Sequence, residues 1–256
     1  MIRRFLIGAA FAAALVATPF VSSSAFAEGE TPLLDGNFTF DGPFGTFDIP
    51  AAQRGLQIYK EVCSNCHGLY ELSYRNLSAL GYTPDQVKAF ASAYQVPDLN
   101  DDGEVIQRPA RPSDKFVLPF PNEKAARAAN NGALPPDLAL ITRSREGGAN
   151  YVYSILQGYR DPPAGFKMVD GTFYNTYFPG NQIKMPQPLQ DGAVTFADGS
   201  PNDLKSEAKD IATFLAWAAE PELAERHRLG QHVMLFLIVL TALLYYAKRR
   251  IWSDLH

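Results

Sequence analysis

The chain has 256 residues, of which 46% are hydrophobic and 20% are charged, and this composition excludes an intrinsically disordered protein. Its only two cysteines lie three positions apart, so a small scaffold held together by several disulfides is excluded as well. The formal net charge of −4 argues against binding of nucleic acid, because contacts to phosphates need clustered Lys and Arg.

The N-terminus has the three parts of a secretory signal. They are a basic pair, an apolar run and a small-x-small cleavage site: Arg3-Arg4, Phe5 to Val16, and Ala25-Phe26-Ala27. Pro19 interrupts the apolar character before a bilayer could be crossed, which favours a cleaved signal over an uncleaved anchor helix. We therefore predict that residues 1–27 are removed and that residues 28–225 form an exported domain.

A helix is predicted before the cysteine pair. Asp48 can cap its first turn, and Gly55 leaves room for a close crossing with another helix. Apolar residues recur every three or four positions along it: Ala52, Leu56, Tyr59 and Val62. This period is typical of a helix with one buried face.

The pattern Cys63-Ser64-Asn65-Cys66-His67 is C-x-x-C-H, the attachment signature of a c-type haem. Residues at i and i+3 share one helical face, so the two sulfurs can add to two vinyl groups while the next imidazole faces the iron. We predict one haem c, covalent through Cys63 and Cys66, with His67 as an iron ligand. A zinc site would need four ligands, and a redox C-x-x-C would leave His67 without a role.

Shorter helices are predicted after the motif, at Pro84 to Tyr94 and at Glu123 to Asn130, where Gly132 ends the second. Residues 95–122 and 158–200 are rich in Pro, Gly and Asp and predict irregular loops with at most a short hairpin. The first loop contains an acidic cluster: Asp98, Asp101, Asp102 and Glu104. Such a cluster is usually a solvated loop, but it can also steer a basic partner.

A haem iron that passes electrons and binds no small molecule needs a sixth ligand, and Met168 and Met185 are the candidates in the exported domain. Met185 lies between Pro179 and Pro186, whereas no proline braces Met168 in the same way. A methionine is more often a filler of the core than a ligand. The stiffened segment favours Met185 and leaves Met168 as the alternative.

The last helix of the exported domain is predicted from an N-cap, N1 and N3 set at Ser200, Pro201 and Asp203. Its apolar stripe follows the helical period: Leu204, Ala208, Ile211, Leu215 and Ala218. Pro221 is expected to end it.

An uncharged stretch of 19 residues runs from Leu229 to Ala247, long enough to span about 28 Å as a helix. A buried core helix would not need Val233 to Leu240 to be apolar on every face. We predict a transmembrane anchor at residues 226–250 and a cytoplasmic tail at 251–256, because Lys248-Arg249-Arg250 forms a positive stop on the inner side.

Four segments resemble the cytochrome c1 family, the membrane-anchored haem subunit of the quinol:cytochrome c reductase (the cytochrome bc1 complex), in its bacterial form. The resemblance covers essentially the whole chain after the predicted cleavage site. In chain order the segments are Arg54-Gly55, Arg127 to Leu138, Tyr177-Phe178-Pro179-Gly180, and Phe214 to Pro221.

This resemblance implies a mostly α protein: a class I cytochrome c fold with long loop insertions and one C-terminal transmembrane helix. It implies that Met185 is the axial methionine and that Arg145 pairs with a haem propionate. The residues that it places in the wall of the haem pocket are Asn130, Pro136, Tyr151 and Phe178. A disulfide found in the haem domain of some bacterial members is impossible here, because no cysteine is left to form it.

The implied function is transfer of one electron from the Rieske iron–sulfur protein to a cytochrome c, with cytochrome b as a further partner. The haem domain would face the periplasm at the bacterial inner membrane. As the haem subunit of a quinol–cytochrome c reductase, the chain would need no acid, base or nucleophile of its own, because the cofactor supplies the redox chemistry. A freestanding membrane-tethered shuttle and a haem gas sensor share the C-x-x-C-H motif and stay open as alternatives.

Overall fold

The computed structural model describes residues 31–253. The helices and strands given below all belong to one compact unit, which begins at Leu33. The predicted signal peptide at residues 1–27 and the last part of the predicted tail, residues 254–256, lie outside the described residues.

The described residues form a mostly α fold, as predicted. The α-helices are α1 Ile49–Glu61, α2 Pro84–Ser92, α3 Glu123–Ala129, α4 Ile141–Ser144, α5 Gly148–Gln157, α6 Leu204–Ala219 and α7 Leu223–Ile251. Short 3-10 helices cover Cys63–Asn65, Tyr74–Leu80 and Pro179–Asn181. Two antiparallel hairpins interrupt the loops: β1 Gln95–Leu99 with β2 Val105–Pro109, and β3 Phe173–Tyr174 with β4 Gln182–Ile183.

The crossing of α1 and α6 forms the centre of the core. The Asp48 carboxylate caps α1 by accepting a hydrogen bond from the Ala51 N–H at 3.1 Å, which confirms the predicted cap. A Cβ at Gly55 would lie 2.2 Å from the Asp210 carbonyl oxygen and 2.5 Å from the Phe214 Cβ. The helices can therefore approach this closely only with glycine at that position.

The start of α6 differs from the prediction. Asp203 is the N-cap, and its carboxylate accepts hydrogen bonds from the Lys205 and Ser206 N–H groups, each at 3.1 Å. The Ser200 hydroxyl instead donates to the Asp198 carboxylate at 2.7 Å, so Ser200 and the proline that follows it precede the helix. The predicted set at Ser200, Pro201 and Asp203 was therefore wrong in register, because a carboxylate nearer the helix takes the cap.

Among the described residues, α7 is the one helix that is long and apolar enough to cross a membrane. It has 29 residues, and its most apolar window has a mean hydropathy of 1.8 and no buried residue. Leu235 and Phe236 are 62% and 63% exposed. An exposed apolar surface of this extent is typical of a membrane anchor.

Candidate functional site

The C-x-x-C-H motif begins immediately after α1, in a tight turn. The N–H groups of Cys66 and His67 both donate to the Cys63 carbonyl, at 3.1 and 2.9 Å. The Tyr59 hydroxyl, one turn earlier on α1, donates to the His67 carbonyl at 3.0 Å. Cys63 also packs against the main core, so the turn is fixed at both of its ends.

The ring of His67 is held in one tautomer. Its Nδ1 lies 2.7 Å from the Pro136 carbonyl oxygen, which can only accept, so Nδ1 carries the hydrogen and Nε2 is free for a metal. Burial lowers the pKa of His67, which favours the neutral imidazole that metals bind. The structure therefore brings together the predicted residues His67 and Pro136 in the arrangement of an oriented metal ligand.

Asp137 fixes the segment that holds His67, and sequence reasoning did not single it out. Its carboxylate accepts hydrogen bonds from the Tyr70 N–H at 2.8 Å and from the Ala139 N–H at 2.9 Å. A Cβ at Gly68 would lie 2.8 Å from an oxygen of this carboxylate. The only signal in the sequence was the position of Asp137 inside the segment Arg127 to Leu138.

The two thiols are free and partly buried, and burial raises the pKa of Cys63 to about 12. Redox-active C-x-x-C cysteines have a lowered pKa, so the environment does not favour that alternative. Within residues 31–253, no three side chains of His, Cys, Asp or Glu are grouped as a metal site needs. Two thiols on one turn and a single free imidazole nitrogen are the donors that a c-type haem uses.

A second, smaller cluster includes Met185 as a partly buried member. Its buried members are Ile155, Tyr159 and Ile183, and its partly buried members are Tyr151, Tyr177, Phe178 and Met185. The structure thus brings three predicted residues together here, including the proposed axial ligand. The Tyr159 hydroxyl donates to the Met185 carbonyl at 3.0 Å, which fixes the backbone of the methionine. Met168 is partly buried but belongs to neither cluster.

Asn175 anchors the loop that carries Met185, and it too was missed from the sequence. It is fully buried; its Nδ2 donates to the Ile155 carbonyl at 2.8 Å, and its Oδ1 accepts from the Tyr177 N–H at 3.0 Å. A Cβ at Gly158 would lie 2.3 Å from that Oδ1. This amide side chain, together with the hydrogen bond from the Thr176 N–H to the Gly158 carbonyl at 2.9 Å, attaches the loop to the end of α5.

The remaining predicted residues are the polar side chains of Asn130 and Arg145. Asn130 is the C-cap of α3, and its Nδ2 donates to the Ala126 carbonyl at 2.7 Å. Arg145 is exposed and lies beside Tyr151, whose pKa is raised by burial against the opposing charge and hydrogen bond of Arg145. Tyr151 packs against both clusters. It therefore connects the main core, against which Cys63 packs and which we call the histidine side, to the cluster of Met185, which we call the methionine side.

Comparison with known proteins gives a consistent family assignment. A family model described as Cytochrome C1 family matches residues 38–255. A protein named cytochrome c1 from Rhodospirillum rubrum is 44% identical over 89% of this chain and 90% of its own length. A protein named cytochrome c1-2, heme protein, mitochondrial, from Solanum tuberosum is 46% identical over 84% of this chain and 83% of its own length.

A further relative is longer than this chain. A protein named cytochrome b/c1 from Bradyrhizobium diazoefficiens is 47% identical over 90% of this chain. The match spans only 37% of the length of that relative.

Proposed function

The chain belongs to the cytochrome c1 family, and from that premise we propose that it carries single electrons through one haem c attached to Cys63 and Cys66. The observation that carries this proposal is the 2.7 Å contact between His67 Nδ1 and the Pro136 carbonyl. It leaves Nε2 free directly after the two cysteines. A bound haem supplies the one-electron redox chemistry at its iron.

The chain's own role is to supply two side chains as iron ligands and to keep other molecules away from the iron. The Pro136 carbonyl orients the His67 ring and increases its basicity as a ligand. Met185, with its carbonyl held by Tyr159, is the proposed second ligand, and its thioether favours reduced iron. If His67 and Met185 both bound the iron of a haem, they would leave no iron position open to a small molecule, as an electron carrier needs and a gas sensor does not.

The proposed pocket wall keeps water away and balances charge. Tyr151 and Phe178 belong to the Met185 cluster, so they shield the thioether from solvent. Asn130 and Pro136 would close the side formed by α3 and the segment after it. Arg145, exposed beside Tyr151, is the proposed partner of a haem propionate, because a guanidinium can hold a carboxylate with two hydrogen bonds.

The proposed partners are the Rieske iron–sulfur protein as electron donor, cytochrome b, and a cytochrome c as acceptor, in a quinol–cytochrome c reductase. The name cytochrome b/c1 of the Bradyrhizobium relative supports an association with cytochrome b. The proposed orientation places the haem domain in the periplasm and the end of α7 in the cytoplasm, supported by Lys248-Arg249-Arg250 after the apolar stretch.

Purification in mild detergent, followed by haem staining of a denaturing gel, tests this assembly. We expect the band of this chain to stain for haem and to copurify with cytochrome b and the Rieske protein. A haem-stained chain that purifies alone would support the freestanding shuttle. Binding of carbon monoxide to the reduced wild-type protein would support the gas sensor.

A further inference from the structure

An exposed aromatic residue lies at the tip of an ordered loop between Phe40 and Phe47. Phe44 is 76% exposed, whereas Phe40 is 9% exposed and packs on Phe47 with ring centroids 5.0 Å apart. The loop is closed by hydrogen bonds from the Thr46 N–H to the Thr39 carbonyl at 3.0 Å and from the Thr39 hydroxyl to the Thr46 carbonyl at 2.8 Å. The fold therefore holds Phe44 in an exposed position.

The same loop is hydrogen bonded to the beginning of α7. His227 Nδ1 lies 2.9 Å from the Gly45 carbonyl oxygen, and Gln231 Nε2 donates to the Pro43 carbonyl at 3.4 Å. Residues 227 and 231 share one face of the helix. One hydrogen bond on each side of Phe44 in the sequence therefore holds the tip of the loop at the level of His227 and Gln231 along α7.

This height corresponds to the interface of a membrane that α7 crosses. At 1.5 Å per residue, His227 and Gln231 lie about 9 and about 3 Å before Val233, where the strongly apolar stretch begins. The headgroup layer of a bilayer is about 5–8 Å thick on each side. Phe44 is thus level with the headgroups, the depth at which aromatic side chains are enriched.

The charges at this level also suit a lipid surface. Arg228 is exposed, and within residues 31–253 it has neither an ion pair nor a side-chain hydrogen bond. A free guanidinium before an apolar span can bind lipid phosphates. The carboxylate of Asp41, at the start of the loop, opposes anionic headgroups, so the apolar contact of Phe44 must be the main interaction.

We propose that the loop Asp41–Thr46 is a second membrane contact, in which Phe44 inserts among the lipid headgroups next to the anchor. This inference rests on the proposed role of α7 as the anchor. A single helix would leave the haem domain free to tilt about the start of that helix. The loop lies across the His227 and Gln231 hydrogen bonds from α7. A contact between Phe44 and the lipid therefore restricts that tilt and fixes the height of the haem site above the bilayer.

Spin labelling of the full-length, haem-loaded chain in phosphatidylcholine nanodiscs tests this contact. Labels are attached at Phe44→Cys, at Val105→Cys in the water-exposed strand β2, and at Val239→Cys within α7. A high rate of collision between the spin label and oxygen indicates a lipid environment. A high rate of collision with a water-soluble nickel chelate indicates exposure to water. We expect residue 44 to lose most of the nickel collisions seen at 105 and to approach the behaviour of 239.

A second pair of variants compares the chain with and without the aromatic side chain of Phe44. With the label at Pro43→Cys, the added substitution Phe44→Ser should restore nickel collisions at residue 43. Residue 44 as accessible to nickel as 105, with 239 protected, would overturn the inference and leave the anchor intact. Nickel access at 239 would overturn the anchor and the inference together. Protection of 44 that appears only in the assembled complex would assign the loop to a protein partner and contradict the lipid contact.

Discussion

The two proposed iron ligands lie in regions that are built differently. His67 follows a capped helix of the main core, and hydrogen bonds hold its ring nitrogen, its N–H and its carbonyl. Met185 lies in a satellite cluster with three buried residues, on a loop attached through Asn175 and Tyr159. The histidine side is thus part of the core, whereas the methionine side depends on a few loop contacts. We therefore expect a loss of stability to free Met185 from its contacts before it frees His67.

The largest expected effect is the complete loss of covalently bound haem. It depends on the histidine side alone, because both cysteines lie there. In Cys63→Ser with Cys66→Ser, no thioether can form, so haem staining on a denaturing gel should disappear completely. Met185→Leu is the matched control, and it should keep full staining because attachment does not involve the methionine side. Residual staining of the double variant would contradict covalent attachment at these two residues.

The next largest effect should come from the ion pair between α1 and α6. Arg54 donates two hydrogen bonds to Asp210, at 2.6 and 2.9 Å, and Asp210 raises the pKa of Arg54. Asp210→Ala leaves a partly buried guanidinium without its partner, so we expect a loss of about 3 kcal/mol in the free energy of unfolding. Asp170→Ala, at an exposed site, should cost less than about 0.5 kcal/mol in the same denaturant titration. Equal losses would show that the pair does not hold the histidine side together.

A smaller, pH-dependent effect is expected at Glu207, on the same helix. Its Oε1 accepts a hydrogen bond from the Val194 N–H at 2.8 Å, and its Oε2 has no hydrogen-bond partner in the described part of the chain. Burial raises its pKa above 4.5. The folded state therefore retains this proton more strongly than the unfolded chain. Its contribution to stability is complete below pH 4.5 and is lost as the pH rises through the folded-state pKa.

Glu207→Gln removes that titration and keeps an oxygen for the Val194 hydrogen bond. The free energy of unfolding of the wild type, measured relative to this variant, should fall from about pH 4 to about pH 8. A difference that stays constant over this range would mean that Glu207 does not titrate in the folded protein. Glu222→Gln, at an exposed site, serves as the control.

The smallest effect is expected from the acidic hairpin, which acts on neither ligand. Asp98, part of the predicted cluster, forms ion pairs in the structure with Arg108, which also binds Asp114, so Arg108 lowers the pKa of Asp98. The other three carboxylates, those of Asp101, Asp102 and Glu104, form no ion pair within residues 31–253. Their neutralisation should modestly slow electron transfer to a basic acceptor at low salt and have no effect at high salt.

Asp98→Asn is the contrasting variant for this test, because it removes one unit of negative charge whereas the triple neutralisation removes three. It should alter the salt dependence of the rate less than the triple neutralisation does. An unchanged low-salt rate in the triple variant would place any steering charge elsewhere on the protein.

The histidine side was readable from the sequence because its signals are local. A cap at Asp48, a helical period and the spacing of Cys63, Cys66 and His67 all lie within one short segment. Asp137 and Asn175 could not be found in this way, because their partners lie 67 and 20 residues away. The helix α5, whose C-terminal end supports the loop of Met185, was missed although its buried residues follow the helical period: Ala149, Val152, Tyr153 and Leu156. Met185 itself was predicted from the sequence, whereas the contacts that support it are visible only in the fold.

The most direct test of the proposed ligand pair compares Met185→Leu with Met168→Leu. Both changes nearly conserve volume and should cost less than about 1.5 kcal/mol in stability, and haem content can be normalised through the intact cysteines. Loss of a thioether ligand should lower the haem potential and let the reduced protein bind carbon monoxide. We predict both changes in Met185→Leu and neither in Met168→Leu. An unaltered potential and no carbon monoxide binding in Met185→Leu, with both changes in Met168→Leu, would contradict the assignment.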